Sequence, residues 1–597
     1  MRKEKPNPIS TIAMRAILTP FAMLFSLVIW GQTSQHPFPE FSQETVDQAV
    51  LAWEQNRSSA QEEVSVAPRA AMEMAAASSR VLSIHSVKRG AWSDATTWDC
   101  QCIPSSDDMV QVDHEVGLSE DAFCTSLTVT SSGQVFDVED VTLTLGGDLV
   151  ALRALTLDRV HLTFTGEGID HTMAAHATVA RLIAQPGASL SIEGDVVVTE
   201  RATADNATIT VDPDGSLTLG NGPLGRASAL RPGTGEILGL VTREIILPAT
   251  ANRGSTNIQH RIALGLEGVQ VEQFIGDFPT VGFQGSDNPA ATASNIAVWD
   301  ADVLYNSYQV TSASDYLPVW QGVYLTVFPA DSYTLTFEGT MPNKVVSLDV
   351  PGEAYFGLFG NALNAPCSLD SIASQIPSKD LDLSCWNIET LQFDTYVTGH
   401  STNDLRGIME PNTTCQFIPT ETIAFQLSSD DLQFNEGTNL AENRGSIVFS
   451  VSNQSGFADE SILLMADDAT TGFDPGVDGK NSNSVVAGCD LYLRDADNNT
   501  MAINQVDFAR EAMHTYELVL AANRPLDGEY TVDVDSMNWP EGCAQFTAVG
   551  ETTARPLVEG HLTDVTLDSQ ANTTYTIGQV HVIPEVRDIS VSPGCEG

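Results

Sequence analysis

Gly187-Ala-Ser-Leu-Ser-Ile-Glu-Gly194 has a forerunner in Gly133-Gln-Val-Phe-Asp-Val-Glu-Asp140 and a successor in Gly215-Ser-Leu-Thr-Leu-Gly220. Each opens on glycine, alternates apolar with polar residues and closes on a polar turn. Between them fall Val141-Thr-Leu-Thr-Leu145, Val160-His-Leu-Thr-Phe164, Asp195-Val-Val-Val198 and Ala207-Thr-Ile-Thr-Val211. A period of two, carried by valine, threonine, leucine and isoleucine, suits pleated strands with one buried face. Short strands repeated with tight turns predict coils of a β-solenoid over residues 81–232. An antiparallel sandwich gives a similar pattern and stays open as the alternative.

Upstream of the coils, Arg2, Lys3, Lys5 and Arg15 precede an uncharged, mostly apolar run that ends at Trp30. That is the pattern of a secretory signal over residues 1–31, with cleavage expected near Gly31. Residues 32–80 read as a linker or pro-segment with one short helix, since Val46, Ala49, Val50 and Trp53 share a helical face after a Ser42 cap. No second apolar run long enough for a membrane span follows. The expected location is therefore outside the cell, either secreted or held at the surface.

Downstream, Arg231-Pro-Gly-Thr-Gly235 is a turn-rich break and the expected domain boundary. An internal repeat comes next. Its first copy contains Phe274-Ile-Gly-Asp277, Val298-Trp-Asp300, Tyr305, Tyr308, Leu317-Pro318 and Tyr333-Thr-Leu-Thr-Phe337. Its second contains Leu358-Phe-Gly-Asn361, Cys385-Trp-Asn387, Phe393, Tyr396, Glu410-Pro411 and Asp431-Leu-Gln-Phe434. These predict two β-sandwich modules, at 240–350 and 351–435, then a C-terminal sandwich at 436–585 and a tail at 586–597. The expected fold class is all-β.

The chain of 597 residues carries 78 acidic and 28 basic side chains, a formal charge of -50. Such a surface repels nucleic acid and anionic lipid, so neither is an expected partner, while divalent cations are attracted. Nine cysteines fit an oxidising compartment, and the odd count leaves one over, for which Cys595 is the natural candidate.

Two resemblances add to this reading. Gly90-Ala-Trp92-Ser-Asp-Ala-Thr-Thr-Trp98, followed by Ile103-Pro104, Asp107-Asp108 and Val110-Gln-Val112, resembles the entry of the eight-glycine domain and related β-helix starts of extracellular proteins. Cys100-Gln-Cys102 stands where that family has glycines, and a bond to Cys124 is expected. The Val-Trp-Asp, Tyr and Pro pattern, with Gly322-Val-Tyr-Leu-Thr-Val327, resembles modules of large surface proteins of gliding bacteria exported by the type IX secretion pathway. That family's turn reads Gly-Asn-Pro-Tyr-Pro, against Gly276-Asp-Phe-Pro279 and Gly360-Asn-Ala-Leu363 here. The loop Asp467-Asp-Ala-Thr-Thr-Gly-Phe473-Asp474-Pro-Gly-Val-Asp478-Gly-Lys480 continues the likeness. The resemblance implies a sorting domain removed on export; the sequence stops at Gly597 without one, so a longer chain or a different route is expected.

Candidate sites are few. The sequence has no Gly-x-Ser-x-Gly, no His-Glu-x-x-His and no P-loop. Asp467, Asp468, Asp474 and Asp478 are the candidate calcium ligands, because calcium gathers about six to eight oxygens from a flexible loop. Asp495-Ala-Asp497-Asn-Asn499 opens like a calcium loop but has Val506 at the position of the closing glutamate. His171 and His176 are expected on a solenoid loop, and strand alternation would point His114 away from Asp113 and Glu115. Trp92, Trp98, Trp299, Trp320 and Trp386 would be sugar platforms if exposed and core if not. The leading expectation is a secreted adhesion or extracellular-matrix protein without catalytic activity, whose partners are extracellular polysaccharide or other surface proteins. A polysaccharide lyase or hydrolase with its site on the solenoid groove is the rival, weakened by the scarcity of basic residues between 100 and 230. A carbohydrate-binding protein is the third reading.

Overall fold

In Ser189–Ile192 the leucine and isoleucine are buried and both serines half-exposed, and this alternation is what winds the chain into coils. The computed structural model describes residues 83–220, 227–248, 258–299, 307–328, 332–350, 357–377, 383–388, 392–397, 400–402, 407–417, 419, 421–428, 445–454, 458–466, 478–480, 489–507, 513–522, 528–539, 543–567 and 573–582. The signal, the helix proposed around Trp53 and the tail at 586–597 lie outside them.

The described chain is all-β, and its N-terminal part is a β-solenoid. One face is an eight-stranded parallel sheet running from Ser83–His85 to Glu236–Leu238. Its register stacks like on like: Val110, Leu127, Leu149, Met173, Ile192 and Val211 form one inward column. All six are buried, so each coil covers the apolar side chain of the last. The strands Leu155–Phe164, Ala177–Ala184 and Asp195–Ala204 turn a corner midway. In the last of these, Asp195 to Val198 pair with Ser216–Leu219, whereas Arg201 to Thr203 pair with Ser228–Leu230. One strand thereby serves two faces.

The entrance is closed by Trp92 and Trp98, which meet edge to face at 5.1 Å, with Trp98 Nε1 donating to the Trp92 carbonyl at 2.8 Å. Cys100 and Cys102 are bonded to each other, not to Cys124. Cys124 points into the core as a thiol, its pKa raised by burial. Alternation along Ala122–Cys124 turns the Ala122 and Cys124 side chains into the core and leaves Phe123 outside.

The solenoid does not stop at 232. Glu236–Leu238 and Leu240–Leu247 still pair in parallel with earlier coils, so residues 231–235 turn within the last coil. Gly235 is required there: a Cβ would lie 1.6 Å from the Ala204 carbonyl oxygen of the coil below. Leu240–Leu247 then pairs antiparallel with Tyr333–Thr340, making one strand both the end of the solenoid and the start of the first module.

The two modules share a strand path. In the first, Ile258–Ile262 pairs with Val323–Val327, which pairs with Ile296–Trp299, which pairs with Ser307–Gln309. In the second, Gly357–Gly360 pairs with Thr414–Phe417, then Leu383–Asn387, then Gln392–Val397. Outside each lies an antiparallel pair, Leu240–Leu247 with Tyr333–Thr340 and Val345–Val350 with Ile423–Ser428. Trp299 and Trp386 therefore occupy equivalent strands. Gly276 and Gly360 do not: Gly276 follows the short 3-10 helix Val271–Phe274, while Gly360 ends a strand equivalent to Ile258–Ile262. Gly265 at φ 68° and Asn364 at φ 55° are left-handed residues shortly after those two strands.

The C-terminal part is one path of strands, from Arg555–Pro556 at one end to Gly560–Leu567 at the other. Register shifts at Val448/Phe449, Leu518/Val519 and Val532/Asp533 bend it. Both ends of the path, through Phe546 and Leu562, feed the same core as Ile447 and Val534.

Candidate binding face on the solenoid

Three basic side chains recur at an interval of 20 residues, His161, Arg181 and Arg201. The coil length converts that interval into contact, because His161 pairs with Arg181 and Arg181 with Arg201 in adjacent parallel strands. Thr142 precedes them in the same column and Ser228 follows. Their neighbours Leu162, Leu182 and Ala202 are buried in the core, so the column itself faces outward. Beside it runs a second column, Phe123, Thr144, Thr163, Ile183, Thr203 and Leu230, in which Phe123 is exposed, Thr144, Ile183 and Thr203 are half-buried and Thr163 is buried.

The face has two different ends. At one, Phe123 is 45% exposed; at the other, Ser228 and Leu230 are covered by the second module, whose Asn364 carbonyl accepts from Ala229 N at 2.7 Å. Arg181 Nε donates to Glu200 Oε2 at 2.8 Å, and both side chains are partly open to water. Burial, then Arg181, lowers the Arg201 pKa, opposed by Glu200 and by Glu410 of the second module. Burial and the Arg181 charge likewise lower the pKa of His161 below its usual value, against weaker pulls from Glu200, Asp140 and Asp121. A neutral imidazole both donates and accepts. The face thus offers guanidinium donors, carboxylate acceptors and hydroxyls in one strip.

Behind the end of this face lies a buried junction of polar side chains. Arg243 donates to Asn364 Oδ1 at 3.0 Å and to the Ala227 carbonyl at 2.8 Å, and Asn364 Nδ2 donates to the Gly265 carbonyl, locking the solenoid to both modules. Arg261 donates to Gln416 Oε1 at 2.5 Å and lies over the rings of Phe393 and Tyr324, at 4.6 and 5.3 Å. Burial lowers its pKa and pushes that of Tyr324 up to about 12. These groups hold modules together and are too enclosed to meet a macromolecular partner.

Of the candidate calcium ligands, Asp467, Asp468 and Asp474 lie outside the described residues. Asp478 is buried, and its carboxylate accepts from Gln505 N at 2.7 Å. In the second loop, Asp495 accepts from Asp497 N, Asn499 N and Asn499 Nδ2, so its carboxylate closes its own turn. Among the described residues no three His, Cys, Asp or Glu side chains converge as a metal would need.

Trp92, Trp98, Trp299 and Trp386 are buried and offer no stacking surface; Trp320 is partly buried against the cores of both modules. His171 is in the strand Asp170–Ala174 rather than in a loop, 1% exposed, with Nδ1 beside the Gly147 carbonyl and its ring 5.6 Å from that of Phe164. His176 pairs with Asp195 at the surface. Asp113 and His114 turn a corner between strands instead of lying within one, and His114 Nδ1 sits beside Ser86 while Glu115 pairs with Arg89.

Comparison with known proteins finds no matching family model, no matching curated protein and no matching solved structure.

Proposed function

We propose that the chain is a secreted adhesion or extracellular-matrix protein that works by holding partners, not by transforming them. The observation that carries this reading is the column of half-buried His161, Arg181 and Arg201 side chains at coil spacing along the solenoid, with Glu200 bonded to Arg181 beside it. A repeated contact face suits a repeating partner, and the modules locked to its end extend the surface on a rigid base. The partners are extracellular polysaccharide or other surface proteins, and the acidic loop around Asp478 takes calcium as a stiffening ion.

The test incubates the full chain with matrix polysaccharide and with intact cells, measuring retained protein and, in the same tubes, new reducing ends and unsaturated sugar products. Retention without product is expected. Product formation would transfer the solenoid to the enzyme reading, and absence of retention on either material would remove the adhesion reading.

A further inference from the structure

Resting on the adhesion reading, we infer that the His161, Arg181 and Arg201 face binds a neutral, hydroxyl-rich polysaccharide lying along the solenoid axis. Adjacent strands are ~4.8 Å apart, close to the advance per ring of an extended pyranose chain. A polymer aligned with the axis therefore meets the same strand position at each coil, occupied in turn by His161, Arg181 and Arg201, which a partner running across the strands does not.

Charge selects the polymer. The two arginines are accompanied by Glu200 and Glu410, and Asp121 and Asp140 lie near His161. With a formal charge of -50 on the whole chain, neither the strip nor its surroundings attract a polyanion. The Arg181 to Glu200 pair instead offers adjacent donors and acceptors, the arrangement that matches vicinal hydroxyls.

Backbone recognition of a peptide is disfavoured as well. The strands bearing His161, Arg181 and Arg201 are hydrogen-bonded to neighbours on both sides, so no strand edge is open there for β-augmentation. Side chains are all the face presents. The covered Ser228 and Leu230, with Glu410 close to Arg201, make the second module a wall at one end, while the exposed Phe123 marks the open end. A chain enters along the strip from the Phe123 side and stops at the module.

The experiment is affinity electrophoresis of the full chain through gels containing a neutral β-linked glucan, a neutral xylan, or polygalacturonate. Wild-type protein is expected to be retarded by a neutral polymer with little dependence on NaCl. The double variant Arg181→Gln and Arg201→Gln should lose about tenfold or more of that affinity, since hydrogen bonds to charged donors are removed. Ser191→Ala, on the eight-stranded face, should change nothing.

Retardation confined to polygalacturonate, absence of retardation by both neutral polymers, or equal retardation of the arginine variant would each overturn the inference. Should the variant fold poorly by its thermal midpoint, phenylglyoxal labelling of wild type replaces it: the neutral polymer must protect Arg181 and Arg201, and unchanged labelling counts against the face. Retention on cells or matrix with an unaffected arginine variant would refute this face and leave the adhesion reading standing. Loss of wild-type retention would remove both.

Discussion

Asp277 is the side chain whose environment makes the sharpest quantitative statement. Burial, reinforced by Glu244, raises its pKa from 3.8 to about 6, although its Oδ2 accepts from Thr336 N at 2.5 Å. Between those two values the folded state binds more protons than the unfolded state, so stability falls as pH rises through the window. Above pH 6 the loss is complete, and below 3.8 it is absent. Asp277→Asn keeps an oxygen for Thr336 and removes the charge. The variant should be more stable than wild type at pH 7 to 8 by about 1 to 2 kcal/mol, a figure already discounted for partial exposure, with no difference near pH 3.5. Thermal midpoints of both proteins across pH settle it, and a constant difference at all pH values would assign the effect to packing. At this same scale lies what a reader of the sequence can and cannot see. The interval of 20 residues between His161, Arg181 and Arg201 is printed in the chain, but it means contact only once the coil length is known. The burial of Arg243 and Arg261 leaves no such trace, because their partners Asn364 and Gln416 are more than a hundred positions away.

Strands announce themselves by alternation, which explains why the solenoid is legible from segments such as Val141–Leu145, whose odd positions are all buried. Pairing between strands is not local, and the repeat shows the consequence. Trp299 and Trp386 identify equivalent strands from composition alone, yet Gly276 and Gly360 look equivalent and are not, since one follows a 3-10 helix and the other ends a strand. The second module adds a covalent tie, Cys385 to Cys415, joining Leu383–Asn387 to Thr414–Phe417 across a sequence separation of 30. Closing a loop of that length should contribute about 3 to 4 kcal/mol through the unfolded chain. Cys385→Ala with Cys415→Ala should lower the midpoint accordingly, and reducing agent should lower wild type towards the variant; equal midpoints would mean the bond constrains little. The junction with the C-terminal strands instead brings like charges together. Asp459 in Ala458–Ala466 is buried, accepts from Leu491 N at 2.6 Å, and has its pKa raised by burial, by Asp490 and by Asp394 of the second module. Asp459→Asn should therefore raise the neutral-pH midpoint and leave the acid midpoint unchanged. An unchanged neutral midpoint would show that the like charges are already compensated.

For the whole molecule, the opposition of 78 acidic to 28 basic residues is the dominant long-range force. Compaction brings those charges closer, so self-repulsion weakens the folded state more than the expanded one. Salt screens interactions beyond roughly 10 Å at 0.1 M. Raising NaCl from low to moderate concentration should thus raise the thermal midpoint by several degrees, since about 1 kcal/mol is worth a few degrees in a domain of ordinary size. This response is generic and needs no site. Calcium separates the generic from the specific when ionic strength is held constant. An ion bound only by the folded state raises the midpoint further by linkage, in proportion to the logarithm of its concentration above the dissociation constant. Asp467, Asp468 and Asp474 precede Asp478 in the sequence, and Asp478 is buried with its carboxylate accepting from Gln505 N. A calcium-specific rise, reversed by chelator and abolished by Asp474→Asn, is the expected outcome. Superimposable curves in calcium and sodium at equal ionic strength would remove the ion from the protein's chemistry and leave its acidity to solubility and to the exclusion of polyanions from the solenoid face.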